Sequence, residues 1–218
     1  KESLRRASGG SGCCVVGAVE VGQYRAMIRA CVEPGDHALG IGCHLGTTTR
    51  LLHQAVTGAS KRGSAVGVDV GVGNIASANG AHCVAAPLVS SVAKKRKRGA
   101  GACLSHPQVK DAPAVTDGSL SFAVADGYDT GALQRIEADF SLRHSINDDD
   151  DDNDDSSPQS GGQRAFTVCF VDIGGLSGPD GLLEAIALVR QISAACPSLR
   201  VLVIKSKCIQ RYVHSLLP

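Results

Sequence analysis

Apolar residues in this chain gather in short runs that are apolar almost throughout, separated by stretches in which they recur at helical spacing. Ser64–Asp69 (SAVGVD), 120–126 (LSFAVAD), 166–172 (FTVCFVD) and 199–205 (LRVLVIK) are four such runs, and an earlier one ends at Ile41. Short continuous apolar runs bounded by Gly or Asp fit strands buried on both faces. Between them, 24–31 predicts a helix stopped by Pro34-Gly35, and 47–56 and 130–140 predict two more. Gly181–Ala195 predicts another, with Leu182, Leu183, Ile186, Val189 and Ile192 at helical intervals. Five β-like runs alternating with helices predict an α/β three-layer sandwich: a mostly parallel, doubly wound sheet, covered on both faces.

Three stretches fall outside this rhythm. Residues 1–12 are rich in Ser, Gly and Arg and open a flexible lead reaching to about residue 21, which leaves 22–218 as one domain. Residues 83–118 carry KKRKR at 94–98, and 144–163 carry seven Asp around Asn153. Neither holds enough apolar surface to offset chain entropy, so both are expected to be disordered insertions.

A length of 218 residues suits one domain with an adequate core. Net charge is +1; setting the five basic and seven acidic run residues aside from 22 and 21 leaves 17 and 14, which is no trap for phosphate backbones. Four Phe, three Tyr and no Trp argue against binding single strands by base stacking. Nine cysteines without a C-x-x-C pair or His/Cys spacing for zinc predict no metal site and a reducing, intracellular setting. No apolar run is long enough for a membrane span, and KKRKR resembles a nuclear import signal, so cytoplasm or nucleus is expected, with an organelle left open.

In a doubly wound sheet ligands sit beyond the carboxyl ends of the strands, where strand order reverses. The first exit reads Leu39-Gly40-Ile41-Gly42-Cys43-His44-Leu45-Gly46-Thr47. Gly42 and Gly46 permit a tight turn and close backbone approach, and a helix from Thr47 points free N–H groups at the same place. Asp69 ends the next run, placed to accept from both hydroxyls of a ribose; the alternative is a carboxylate that caps its own turn. Asp126, before Gly127, is placed to meet an adenine amino group or to form an ordinary Asp-Gly turn.

The segments LGIGCHLGTTTRLL, AVGVDV, FAVADG and FTVCFVDIGG resemble motifs I to IV of class I S-adenosylmethionine-dependent methyltransferases, over roughly residues 22–210 without the insertions. The resemblance implies a Rossmann-like methyltransferase fold with S-adenosyl-L-methionine as cofactor. Its methionine end falls to Gly42, His44 and Gly46, its ribose to Asp69 and its adenine to Asp126, while Asp172 lines the transfer pocket. Two positions depart from the family: Gly40 stands where an acid is usual, and His44 replaces the middle glycine. The G-x-G-x-x-G fingerprint of NAD would need glycine at 44 and 47, where His44 and Thr47 stand. Because the chain stops soon after the fifth run, the family's final β-hairpin is expected to be lacking.

Three functional readings follow. The first is a methyltransferase of unassigned substrate, with RNA, a small molecule or a protein as acceptor. The second is an RNA ribose 2′-O-methyltransferase: Asp172 and Lys205 are similar to two members of its Lys-Asp-Lys-Glu set, with Arg25 or Arg29 standing in for the first lysine. The alternative for Lys205 is a strand-end lysine reaching water. The third is a non-catalytic binding module that keeps the fold.

Overall fold

The computed structural model describes residues 13–58, 63–80, 120–145, 165–176, 178 and 181–216. The basic run at 94–98 and the acidic run at 148–155 lie outside them, as do the expected insertion at 83–118 and most of that at 144–163, whose first two residues, 144 and 145, are instead helical.

The strands are β1 (Cys14–Ala18), β2 (His37–Ile41), β3 (Ser64–Asp69), β4 (Leu120–Val124), β5 (Val168–Val171) and β6 (Val201–Lys205). The helices are α1 (Val21–Cys31), α2 (Thr47–Thr57), α3 (Val72–Gly80), α4 (Thr130–Ser145), α5 (Gly181–Ala195) and α6 (Lys207–Leu216). Every strand pair is parallel, in the order β1-β6-β5-β2-β3-β4. The chain winds from β2 outward through β3 to β4, then returns to β5 on the other side of β2 and on to β6. The reversal puts a crevice at the carboxyl ends of β2 and β5.

The near-continuous apolar strands are explained by two cores. Leu39, Ile41, Val68, Val171 and Ile204 point to one face, covered by Leu133 of α4, Leu188 and Ile192 of α5, and Ile209 of α6. Ala38, Ala65, Phe170 and Val203 point to the other, covered by Tyr24 and Ile28 of α1, Leu52 and Val56 of α2, and Ile75 of α3. Three helices on each face make the three-layer sandwich anticipated above. At the opposite end of the sheet, Asp36 accepts from the Thr167 hydroxyl at 2.8 Å and pairs with Arg200, tying the starts of β2, β5 and β6 together.

Several expectations need correction. A sixth strand, β1, lies within the stretch read as a flexible lead. Its CVVGA is short and contains Gly17, a weak strand signal, but it pairs along its whole length with β6. β1 takes the sheet position beside β6. The first helix begins at Val21, one turn before Tyr24, and the helix expected to end near Phe140 runs to Ser145. Leu183 is not on the buried stripe of α5: it is 77% exposed, and the inward positions are Ala185, Leu188 and Ile192.

Candidate functional site

β2 leaves the sheet at Ile41, and the next residues form a turn that needs glycine for two separate reasons. Gly42 has φ 73°, and a Cβ there would lie 2.3 Å from the carbonyl oxygen of Asp172. Gly46 has φ 77° and opens α2; a Cβ there would lie 2.7 Å from the Phe122 ring. The N–H groups of Gly42 and Cys43 both donate to the Val68 carbonyl, at 2.9 and 3.0 Å, which folds the turn against the end of β3. His44 is the only described non-glycine residue with positive φ, at 49°.

Asp69 fixes that turn. Its Oδ2 accepts from the His44 N–H at 2.9 Å, while Oδ1 accepts from the Gly71 N–H at 2.8 Å and the Asn74 amide at 3.0 Å. Burial pushes its carboxyl up, but these hydrogen bonds outweigh burial and hold it below the usual carboxylate range. Asp69 therefore does cap its own turn, the alternative weighed from sequence. Even so, a carboxylate offers about four acceptor positions, and three are used.

Two pockets lie side by side at the crevice, and both are lined by Ile41, Gly42 and Asp172. One, of about 220 Å³, sits under α1 and the start of α2 and is lined further by Tyr24, Arg25, Gly40, His44 and Thr47 to Thr49. The other, of about 280 Å³, is lined by Asp69, Val70, Asp126, Tyr128 and Ile173. Five of the seven sequence-predicted residues thus line one crevice, while Lys205 lines neither pocket and meets it through its pair with Asp172. Gly42, His44 and Asp172 reach the first pocket, and Gly42, Asp69, Asp126 and Asp172 the second; Gly46, behind the turn, lines neither. His44 commits its backbone N–H to Asp69 and contributes an exposed side chain to the first pocket. Asp126 is exposed, and its Oδ1 accepts from the Tyr128 N–H at 2.9 Å, the Asp-Gly turn weighed from sequence.

Lys205 pairs with Asp172, Nζ to Oδ1 at 2.5 Å. The parallel register makes this pairing: Val171 lies opposite Ile204, so the next residue of each chain emerges side by side. Phe170 and Val203, two positions earlier, face α1, and so do Asp172 and Lys205. Tyr24 packs edge-on to Phe170 with ring centroids 5.4 Å apart. Burial foremost, then the Asp172 carboxylate, raises the Tyr24 phenol well above its usual range, so it stays protonated. Arg25 lines the first pocket; Arg29 instead lines an outer groove between α1 and α2.

Gly40 lies beneath α2, where a Cβ would sit 2.9 Å from Thr49 Oγ1. Sequence reasoning passed over Val70, Tyr128 and Ile173, which line the second pocket. Val70 is 65% exposed and Tyr128 39% exposed. A valine left in solvent beside a strand-end acid is a signal only once its exposure is known.

No family model matches the chain, and no curated protein matches it. Among the described residues no group of His, Cys, Asp or Glu is arranged to hold a metal ion, and no helix is long and apolar enough to cross a membrane.

Proposed function

We propose that this chain binds S-adenosyl-L-methionine across the two pockets and transfers its methyl group to an acceptor seated at Asp172. The carrying observation is the union of the glycine-rich turn and Asp69 at the β2/β5 crevice. Gly42 leaves the backbone bare beside Asp172, and Asp69 stands at the mouth of the adjoining pocket with an acceptor position to spare. The donor set fits such a ligand. Asp69 would accept from a ribose hydroxyl, Val70 and Ile173 would flank a purine, and Asp126 would take its amino group. The α2 N-terminus would receive a carboxylate.

When bound, the cofactor supplies an electrophilic methyl group on sulfonium sulfur. The protein's part is positioning: Asp172 and Tyr24 line the space where the acceptor would meet it. We place the chain inside the cell, since its seven described cysteines are free thiols.

The Lys205–Asp172 pair favours a second reading, methylation of an RNA ribose 2′-hydroxyl. There Asp172 would orient Lys205, whose neutral amine would take up the hydroxyl proton. If neither transfer occurs, the third reading, a non-catalytic binding module, applies. Calorimetric titration with S-adenosylmethionine and S-adenosylhomocysteine tests the proposal. Saturable 1:1 binding, weakened at least about tenfold in Asp126→Ala and Val70→Asp, supports it. Absence of binding by the folded protein overturns it.

A further inference from the structure

We infer that the Tyr24 hydroxyl is the hydrogen-bond donor that seats the methyl acceptor, and that the group it seats is itself a hydroxyl. The inference rests on the methyltransferase reading and names the acceptor chemistry which that reading leaves open.

Tyr24 is 2% exposed and lines the first pocket. Its ring packs on Phe170, but its hydroxyl has no hydrogen-bond partner among the described residues. Nor is the oxygen sealed in. Among the described residues, the fully enclosed side-chain oxygens without a partner are those of Thr49 and Gln191. The Tyr24 oxygen therefore opens onto the pocket. A buried tyrosine ordinarily finds a partner for its O–H, and a missing one is a deficit that a ligand can make good.

β5 sets what this hydroxyl faces. Asp172 follows Phe170 by two residues, so it stands on the same side about 7 Å further along the chain. Asp172 holds Lys205, and its carboxylate acts on the Tyr24 phenol, which stays protonated. An acceptor in the pocket thus meets one neutral donor, Tyr24, beside the Asp172–Lys205 pair.

A hydroxyl matches both. Its O–H donates into the Asp172–Lys205 pair, one oxygen lone pair accepts from Tyr24, and the second lone pair is left to attack. A neutral amine has a single lone pair, which the Tyr24 donor would occupy. In the transfer the acceptor oxygen gains the methyl carbon, and the hydroxyl proton passes to the neutral amine of Lys205. The sulfonium sulfur keeps the electron pair of the broken C–S bond.

Tyr24→Phe tests this on the intact chain, because it keeps the ring and its contact with Phe170 and removes the hydroxyl alone. The urea midpoint should be unchanged or raised, since no hydrogen bond is lost in the free protein. A lowered midpoint overturns the inference, because the hydroxyl would then have a partner inside the fold. Affinity for S-adenosylhomocysteine should change by less than about threefold; a loss of about tenfold or more would place Tyr24 on the cofactor and overturn it.

Phenol, aniline and toluene, uncharged rings of similar size near neutral pH, are then titrated into the protein with S-adenosylhomocysteine present. Carbon-labelled tyrosine is followed by NMR, and the Tyr24 resonance is the one lost in Tyr24→Phe. Phenol should shift it saturably, at least about threefold tighter than either of the other rings, and should lose that advantage in Tyr24→Phe. Aniline or toluene binding as tightly as phenol, or no response of Tyr24 to phenol, overturns the inference; bound S-adenosylhomocysteine would leave the methyltransferase reading intact. If phenol shifts Tyr24 as expected and no S-adenosylhomocysteine binds, the methyltransferase reading fails and the hydroxyl seat stands.

Discussion

The backbone N–H of His44 donates to the carboxylate of Asp69 at 2.9 Å, so the turn after β2 and the acid ending β3 behave as one hydrogen-bonded unit. Any ligand that recruits Asp69 meets a carboxylate already oriented by Gly71 and Asn74 and already bound to the turn. The site's shape is built before the ligand arrives.

This coupling predicts a pH dependence of stability. The folded carboxyl of Asp69 lies below its usual range, so the unfolded chain binds its proton first as pH falls. Its stabilisation is complete above the unfolded value of about 3.9 and is lost as pH drops through the lower folded value. Urea midpoints measured from about pH 5 down to about pH 2 should therefore fall less steeply in Asp69→Asn than in the wild type. Parallel curves would show that the three hydrogen bonds do not hold the ionised form.

Gly42→Ala should damage folding before it damages binding. The new methyl group would meet the Asp172 carbonyl at 2.3 Å, on a backbone already at φ 73°. A loss of about 2 kcal/mol or more is expected in denaturant unfolding. Gly73→Ala, in α3 with nothing near its Cβ, is the matched control and should be neutral or stabilising.

Cys43 lies in the glycine-rich turn and lines the first pocket, yet it is no nucleophile. Burial, followed by the nearby Asp69 carboxylate, pushes its thiol up to about 12. Iodoacetamide near neutral pH should leave Cys43 unlabelled in the native protein and label it in urea, as mapped by mass spectrometry. Native labelling at the rate of a free thiol would contradict this.

Lys205→Ala separates binding from transfer. The pair with Asp172 is partly exposed, with side-chain exposures of 27% and 31%, so its removal should cost about 1 kcal/mol or less. Affinity for S-adenosylhomocysteine should change by less than about threefold. If the acceptor is a ribose hydroxyl, transfer should fall by about a hundredfold or more, and its pH profile should shift.

How far the sequence led is clear from particular residues. The runs ending in Asp69, Asp172 and Lys205 were legible because strands buried on both faces leave almost no polar position. Their ends were legible because the first polar residue after such a run marks its exit from the core. β1 was not: CVVGA is short, glycine-containing and only partly buried, and its place depends on a partner strand almost 190 residues away in sequence. That Gly40 packs beneath the Thr49 side chain is a tertiary fact. The lining roles of Val70 and Tyr128 depend on exposure, which periodicity does not encode.

The most direct test of the central claim is a crystal structure of the protein grown with saturating S-adenosylhomocysteine. The account predicts a ribose within hydrogen-bonding distance of Asp69, a purine between Val70 and Ile173, and a carboxylate at the N–H groups of Thr47 to Thr49. Density for the ligand elsewhere, or none at the β2/β5 crevice of a protein folded as described, would contradict it.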